Sequence, residues 1–144
     1  MWVHEHVGQT SATAESVWKV LRNLDEWSTW DTSMEWVRLE GPFAIGSTVV
    51  MKPIGQDEPI NSVITAIVAN ERYADETQFE GVTLRFSHSL SATHHGTRVT
   101  HRLEIDGPAC DQIAPALGPA ITEDFPDAME ALLARAVAAE TSAR

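Results

Sequence analysis

The chain has a single cysteine, a single tyrosine and few positive charges. With Cys110 alone, no disulfide can close within it, and the lone thiol fits a reducing, cytoplasmic setting. Cys110 has no basic or histidine neighbour in sequence to make it a nucleophile. No apolar run approaches the length of a bilayer-spanning helix, which argues against membrane insertion. The opening Trp-Val-His-Glu-His lacks the basic and apolar blocks of a secretory leader. Lys and Arg number 10 against 21 Asp and Glu, for a net charge of −11. That field repels phosphate backbones and anionic headgroups, so neither nucleic acid nor electrostatic membrane docking is expected. Glycine-rich phosphate loops and nucleophile elbows are missing, and no cofactor is expected.

Aromatic residues and histidines are what the chain does have. It carries five tryptophans and six histidines in 144 residues, a length that suits one domain, residues 1–144, with a core of its own. Trp18, Trp27, Trp30 and Trp36 fall in one short stretch and suggest an aromatic wall. Alternation predicts a first strand over Trp2–Val7. Ser11 or Thr13 then caps a helix to about Leu24, with Val17, Val20, Leu21 and Leu24 as its apolar stripe. Asp25–Thr32 reads as a short helix or ordered loop. Strands follow over Met34–Glu40, Ser47–Pro53, Ile60–Val68, Tyr73–Phe79, Val82–Leu90 and Thr97–Ile105. After Gly107-Pro108, Ile113, Leu117, Ile121, Phe125, Met129, Leu132 and Val137 recur at roughly helical spacing. They predict one long helix, bent or broken near Pro126, with Pro115 near its first turn. Ala138–Arg144 reads as a fraying polar tail. Strand, helix, six strands and a long helix make an α+β plan, a curved antiparallel sheet with helices on one face.

Two histidines interrupt otherwise apolar rows. In Val82–Leu90 the inward positions are Val82, Leu84, Phe86, His88 and Leu90. In Thr97–Ile105 they are Val99, His101, Leu103 and Ile105. Pairing Ala92 with Thr97 across the His94-His95-Gly96 turn sets His88 opposite His101. Treating Glu80-Gly81 as a two-residue turn sets Phe79 opposite Val82, Asp75 opposite Phe86 and Tyr73 opposite His88. A four-residue turn over Ala69–Arg72 would put Val68 beside Tyr73 and Ala66 beside Asp75. The result is a polar strip of Tyr73, His88 and His101 with Asp75 alongside.

The chain resembles the polyketide cyclase/START-like (SRPBCC) superfamily with its helix-grip fold. The resemblance rests on Val17-Trp18, Trp27, Trp30-Asp31, Gly41-Pro42-Phe43 and Gly46. Phe86-x-His88, the run Gly96–Arg102 and Gly107-Pro108 are similar to one bacterial branch of it. The resemblance implies about seven strands wrapped around a long bent C-terminal helix, with one or two short helices after the first strand. It also implies a cavity between sheet and helix. Members bind lipids, sterols, polyketides, hormones or quinones there, and only some catalyse ring closure or dehydration. No catalytic motif of a characterised cyclase is present.

Several readings follow. In the first, Tyr73, Asp75, Phe86, His88, His101, Trp27 and Trp30 bind a hydrophobic or aromatic small molecule. In a second, His88 or His101 acts as general acid or base for a cyclase or dehydratase. A third is a protein-interaction module with a filled core, which would use the acidic face or the exposed edge of the sheet. Beside the site readings stands a plain structural role for the histidines, with Asp75 solvated at a strand end. A homodimer is compatible with each. His4-x-His6 on the first strand, beside His101 on the last, raises a three-histidine metal site, against plain surface histidines. Trp27 and Trp30 fit either core packing or the mouth of the cavity. Glu123-Asp124 reads as a solvated acidic face.

Overall fold

The computed structural model describes residues 1–142. Its chain order is strand β1 (Trp2–Thr10), helix α1 (Ala14–Leu21), a 3-10 helix (Leu24–Thr29), strands β2 (Met34–Glu40), β3 (Thr48–Pro53), β4 (Ile60–Val68), β5 (Arg72–Phe79), β6 (Val82–Thr93) and β7 (Gly96–Asp106), then helices α2 (Cys110–Thr122) and α3 (Phe125–Ser142). The strands form one antiparallel sheet in the order β1-β7-β6-β5-β4-β3-β2. This is the expected α+β helix-grip architecture, with β1 closing beside β7.

Local chemistry sets the element ends. Thr13, in extended conformation, accepts a hydrogen bond from the Ser16 amide at 3.1 Å and so caps α1. Val17, Trp18 and Leu21 are buried along its inner face. The helix stops at Leu21, short of the expected Leu24, because Leu24–Thr29 tightens into the 3-10 helix. Glu80 and Gly81 both take positive φ, 45° and 85°, the paired left-handed geometry that suits the twist of a two-residue hairpin.

The counted register holds across β5, β6 and β7. Ala92 pairs with Thr97, His88 with His101, Phe79 with Val82, Asp75 with Phe86 and Tyr73 with His88. It fails by one residue at β4, where Val68 pairs with Arg72, Ile67 with Tyr73 and Ala66 with Ala74. The expected Val68–Tyr73 and Ala66–Asp75 pairs are therefore wrong. Asn70 adopts a φ of 63° and the Glu71 amide donates to the Val68 carbonyl at 2.9 Å, so the turn is one residue tighter. An irregularity between Ile64 and Ala66 absorbs the difference and sets the buried Ile64 opposite Asp75.

The long C-terminal helix is broken rather than merely bent, at Glu123 and Asp124. Pro126 then lies in the first turn of α3, where its missing N–H costs nothing. Pro115 and Pro119 both sit inside α2, and Pro115 falls in its second turn because the helix begins at Cys110. A Cβ on Gly118 would stand 2.6 Å from the Trp2 ring, so this glycine lets α2 lie close on β1. α3 runs to Ser142 through most of the stretch expected to fray, whose last two residues, 143–144, lie outside the described ones. Among the described residues, no helix is long and apolar enough to cross a membrane.

Two apolar clusters form the core. One gathers Val17, Leu21, Trp27, Trp30, Tyr73 and Leu132, and the other Leu84, Leu103, Ile105 and Ala114. The small Ala114, Gly118 and Ala128 are buried on the helices, where larger side chains would fill the space above the sheet.

Candidate functional site

A chamber of about 80 Å3 lies between the sheet and the junction of α2 with α3. Strands β5, β6 and β7 supply Asp75, Phe86, His88 and His101 to its wall, the 3-10 region supplies Trp27 and Trp30, and the helices supply Ile121, Asp124, Phe125 and Ala128. A wider groove of about 510 Å3 adjoins it and shares Ser33, Met34, Met51, Phe86, Ile121 and Asp124 with it. The groove is otherwise mostly apolar, with Ile60, Phe79, Leu84 and Leu117 along it.

Alternation on three neighbouring strands brings the polar row together. Tyr73, His88 and His101 are direct cross-strand neighbours, and His6 of β1 extends the row opposite His101. The His88 and His101 rings meet edge to face, with centroids 4.5 Å apart. Trp27 stands 5.3 Å from both Tyr73 and His88, and Trp30 is 6.2 Å from His101. Phe125 closes the helix side at 6.0 Å from His101.

Asp75 is not solvated at a strand end. It is 1% exposed, and its Oδ2 accepts a hydrogen bond from the Tyr73 hydroxyl at 2.8 Å. Burial pushes its carboxyl up to about 7, against the lowering effect of that hydrogen bond. The Tyr73 phenol is pushed upward by burial and by the adjacent carboxylate. Burial also lowers His88 to about 4, and burial with His88 and His6 nearby holds His101 well below the ordinary histidine value. Both imidazoles are therefore neutral at pH 7, each with one nitrogen as donor and the other as acceptor.

Four buried polar atoms have no hydrogen-bond partner among the described residues: Trp30 Nε1, Asp75 Oδ1, His88 Nδ1 and His101 Nε2. All four residues line the same chamber. Trp27 differs, because its Nε1 donates to the Leu21 carbonyl at 2.7 Å. Both tryptophans are buried, so they form an inner wall rather than a mouth.

The metal alternative does not assemble. His4 and His6 do turn toward the helices, into an open groove with Trp2, Pro119 and Glu123. However, His4 packs between Trp2 and Phe125, and among the described residues no three His, Cys, Asp or Glu side chains gather in an arrangement that could hold a metal ion.

Sequence reasoning missed Asp31, Ser33, Met34, Met51, Ile121 and Asp124. Asp31 Oδ1 accepts from the Ser33 amide at 3.1 Å and from its hydroxyl at 2.5 Å, a local Asx turn that the spacing Asp31-x-Ser33 does signal. Burial raises its carboxyl. Asp124, expected on a solvated face, instead lines the cavity because the helix breaks beneath it.

A seven-stranded antiparallel sheet gripping two helices over a part-polar chamber defines the chain as a helix-grip protein. The chain belongs to the family described as "Polyketide cyclase / dehydrase and lipid transport", whose model matches residues 3–139. No curated protein matches it by sequence. Among solved structures, protein NE0264 from Nitrosomonas europaea superposes with a TM-score of 0.75 at 13% identity, over 96% of each chain. The di-domain ARO/CYC StfQ from the steffimycin biosynthetic pathway gives 0.77 at 10% identity, over 96% of this chain and 51% of that one. Ara h 8.0201 gives 0.71 at 10% identity, over 95% of this chain and 98% of that one. At these identities the likeness is one of fold.

Proposed function

We propose that the chain binds a small apolar, ring-bearing molecule between the sheet and the C-terminal helices, with the polar end in the chamber and the body in the adjoining groove. One observation supports this reading above the others: four residues that line a single chamber each carry a buried polar atom with no partner among the described residues. Leaving such an atom unpaired costs about 1–3 kcal/mol, and buried polar groups are normally satisfied. A ligand group that pairs with several of them recovers that cost. The groove adds affinity by removing apolar ligand surface from water, at roughly 25 cal/mol per Å2. The family description and the presence of a di-domain ARO/CYC protein among the structural neighbours support this class of ligand.

2-Naphthol at tenfold over its Kd is expected to add about 1.4 kcal/mol of stability, roughly 3–6 °C in Tm by thermal denaturation. Ile121→Trp, which fills the wall shared by chamber and groove, is expected to abolish that shift while the protein stays folded. An equal shift in Ile121→Trp, or none in the native protein, contradicts the reading.

A proton-transfer enzyme is the second reading, and Asp75 is the observation that favours it. A general acid or base works best with a pKa near the operating pH, and Asp75, at about 7, meets that condition. His88, at about 4, is a poor proton donor at neutral pH and is better suited to polarising a carbonyl as a neutral hydrogen-bond donor. On this second reading Asp75 is a further acid–base candidate beside His88 and His101.

A further inference from the structure

We propose that the chamber selects an uncharged ligand presenting a hydroxyl group, and rejects carboxylates and other anions of the same shape. The inference rests on the binding reading above and specifies its ligand.

Charge is the first argument. Asp31, Asp75 and Asp124 all line the chamber, and Arg102 is the one Lys or Arg among the lining residues. Its guanidinium is tied to Glu104 at 2.9 Å and to Glu5 at 3.3 Å. An anion entering the chamber therefore meets no uncommitted cation, two neutral imidazoles and three carboxyls that repel it whenever they are ionised. The chain's net charge of −11 opposes its approach as well.

The second argument is the hydrogen-bond inventory. Trp30 Nε1 can only donate, Asp75 Oδ1 accepts when ionised and can donate when protonated, and each imidazole nitrogen does one or the other. A hydroxyl both donates and accepts, so it matches the indole donor and also Asp75 in either protonation state. An ammonium only donates and leaves Trp30 Nε1 unpaired. An ether or ketone only accepts and leaves an ionised Asp75 unpaired. Geometry also prepares Asp75 for this role, because the Tyr73 hydroxyl occupies Oδ2 and leaves Oδ1 to the ligand.

Size is the third. About 80 Å3 accommodates the polar end of a ring system, not its body. The body must lie in the groove of about 510 Å3, past Met34, Met51, Phe86 and Ile121.

The test uses four probes of one shape, titrated calorimetrically into the native protein at pH 7: 2-naphthol, naphthalene, 2-naphthoate and 2-naphthylmethylammonium. 2-Naphthol is expected to bind at least tenfold more tightly than each of the other three. Naphthoate within threefold of naphthol overturns the exclusion of anions. Naphthalene binding as tightly as naphthol overturns the role of the hydroxyl, and tighter binding of the ammonium assigns the chamber to cations instead. Binding by none of the four overturns the reading on which the inference rests, a result distinct from the others.

Discussion

Asp75→Asn is expected to stabilise the protein at pH 8 by roughly 4 kcal/mol more than it does at pH 4. In the folded protein the carboxyl keeps its proton up to about pH 7, whereas in the unfolded chain it loses it near 3.8. Between these values the folded state holds the extra proton, so stability falls as pH rises through the window. Below it the contribution is fully present, and above pH 7 the loss is complete. Asparagine has no proton to lose and can still accept from Tyr73. His88 acts in the opposite sense: its folded value of about 4 lies below 6.5, so its contribution is present above pH 6.5 and lost as pH falls. Because His88 is common to both proteins, the difference between their urea-unfolding curves isolates Asp75. A difference that does not change with pH contradicts a buried, shifted carboxyl at this position.

Trp27→Ala is expected to cost 3–5 kcal/mol, on the order of 10 °C in Tm. The Trp27 ring packs at 5.5 Å from Trp30 and at 5.3 Å from both Tyr73 and His88. Its Nε1 also satisfies the carbonyl of Leu21 at the end of α1. Truncation therefore removes packing, leaves a buried acceptor unpaired and opens the chamber wall, three costs at one site. Trp27→Phe separates them, since it keeps most of the packing and loses the hydrogen bond, for about 1 kcal/mol. Trp36 provides the contrast. It is 36% exposed, with the Arg38 guanidinium 5.3 Å from its ring, and Trp36→Ala should cost less than about 1 kcal/mol. Chemical denaturation of the three variants checks the order, and equal losses for Trp27→Ala and Trp36→Ala would contradict it.

The sheet was legible because alternation and two short turns determine register arithmetically. Counting from Glu80-Gly81 and from His94-His95 placed Tyr73, His88 and His101 in one row without reference to any long-range contact. The count failed at β4 because it assumed a regular strand and a four-residue turn. Asn70 in a left-handed conformation and the irregularity after Ile64 obey neither assumption, and neither leaves a strong trace in composition. The solvated reading of Asp75 fails for a related reason. Its inward direction followed from parity, but its burial depends on Tyr73, on Trp27 and on the cover of distant helices. Asp124 escaped for the same cause, since only the position of the helix break turns it toward the cavity. Solitary side chains on the paired strands could be read from the sequence. Those brought in by the 3-10 region and the helix junction depend on packing between segments far apart in the chain.

A crystal structure of the 2-naphthol complex tests the central claim most directly. The account predicts the naphthol hydroxyl inside the chamber, within 3.2 Å or so of at least two of Trp30 Nε1, Asp75 Oδ1, His88 Nδ1 and His101 Nε2, with its rings along Phe86 and Ile121. A naphthol seated in the open groove by Trp2 and His4, or one lying in the outer groove with its hydroxyl in solvent, would contradict it.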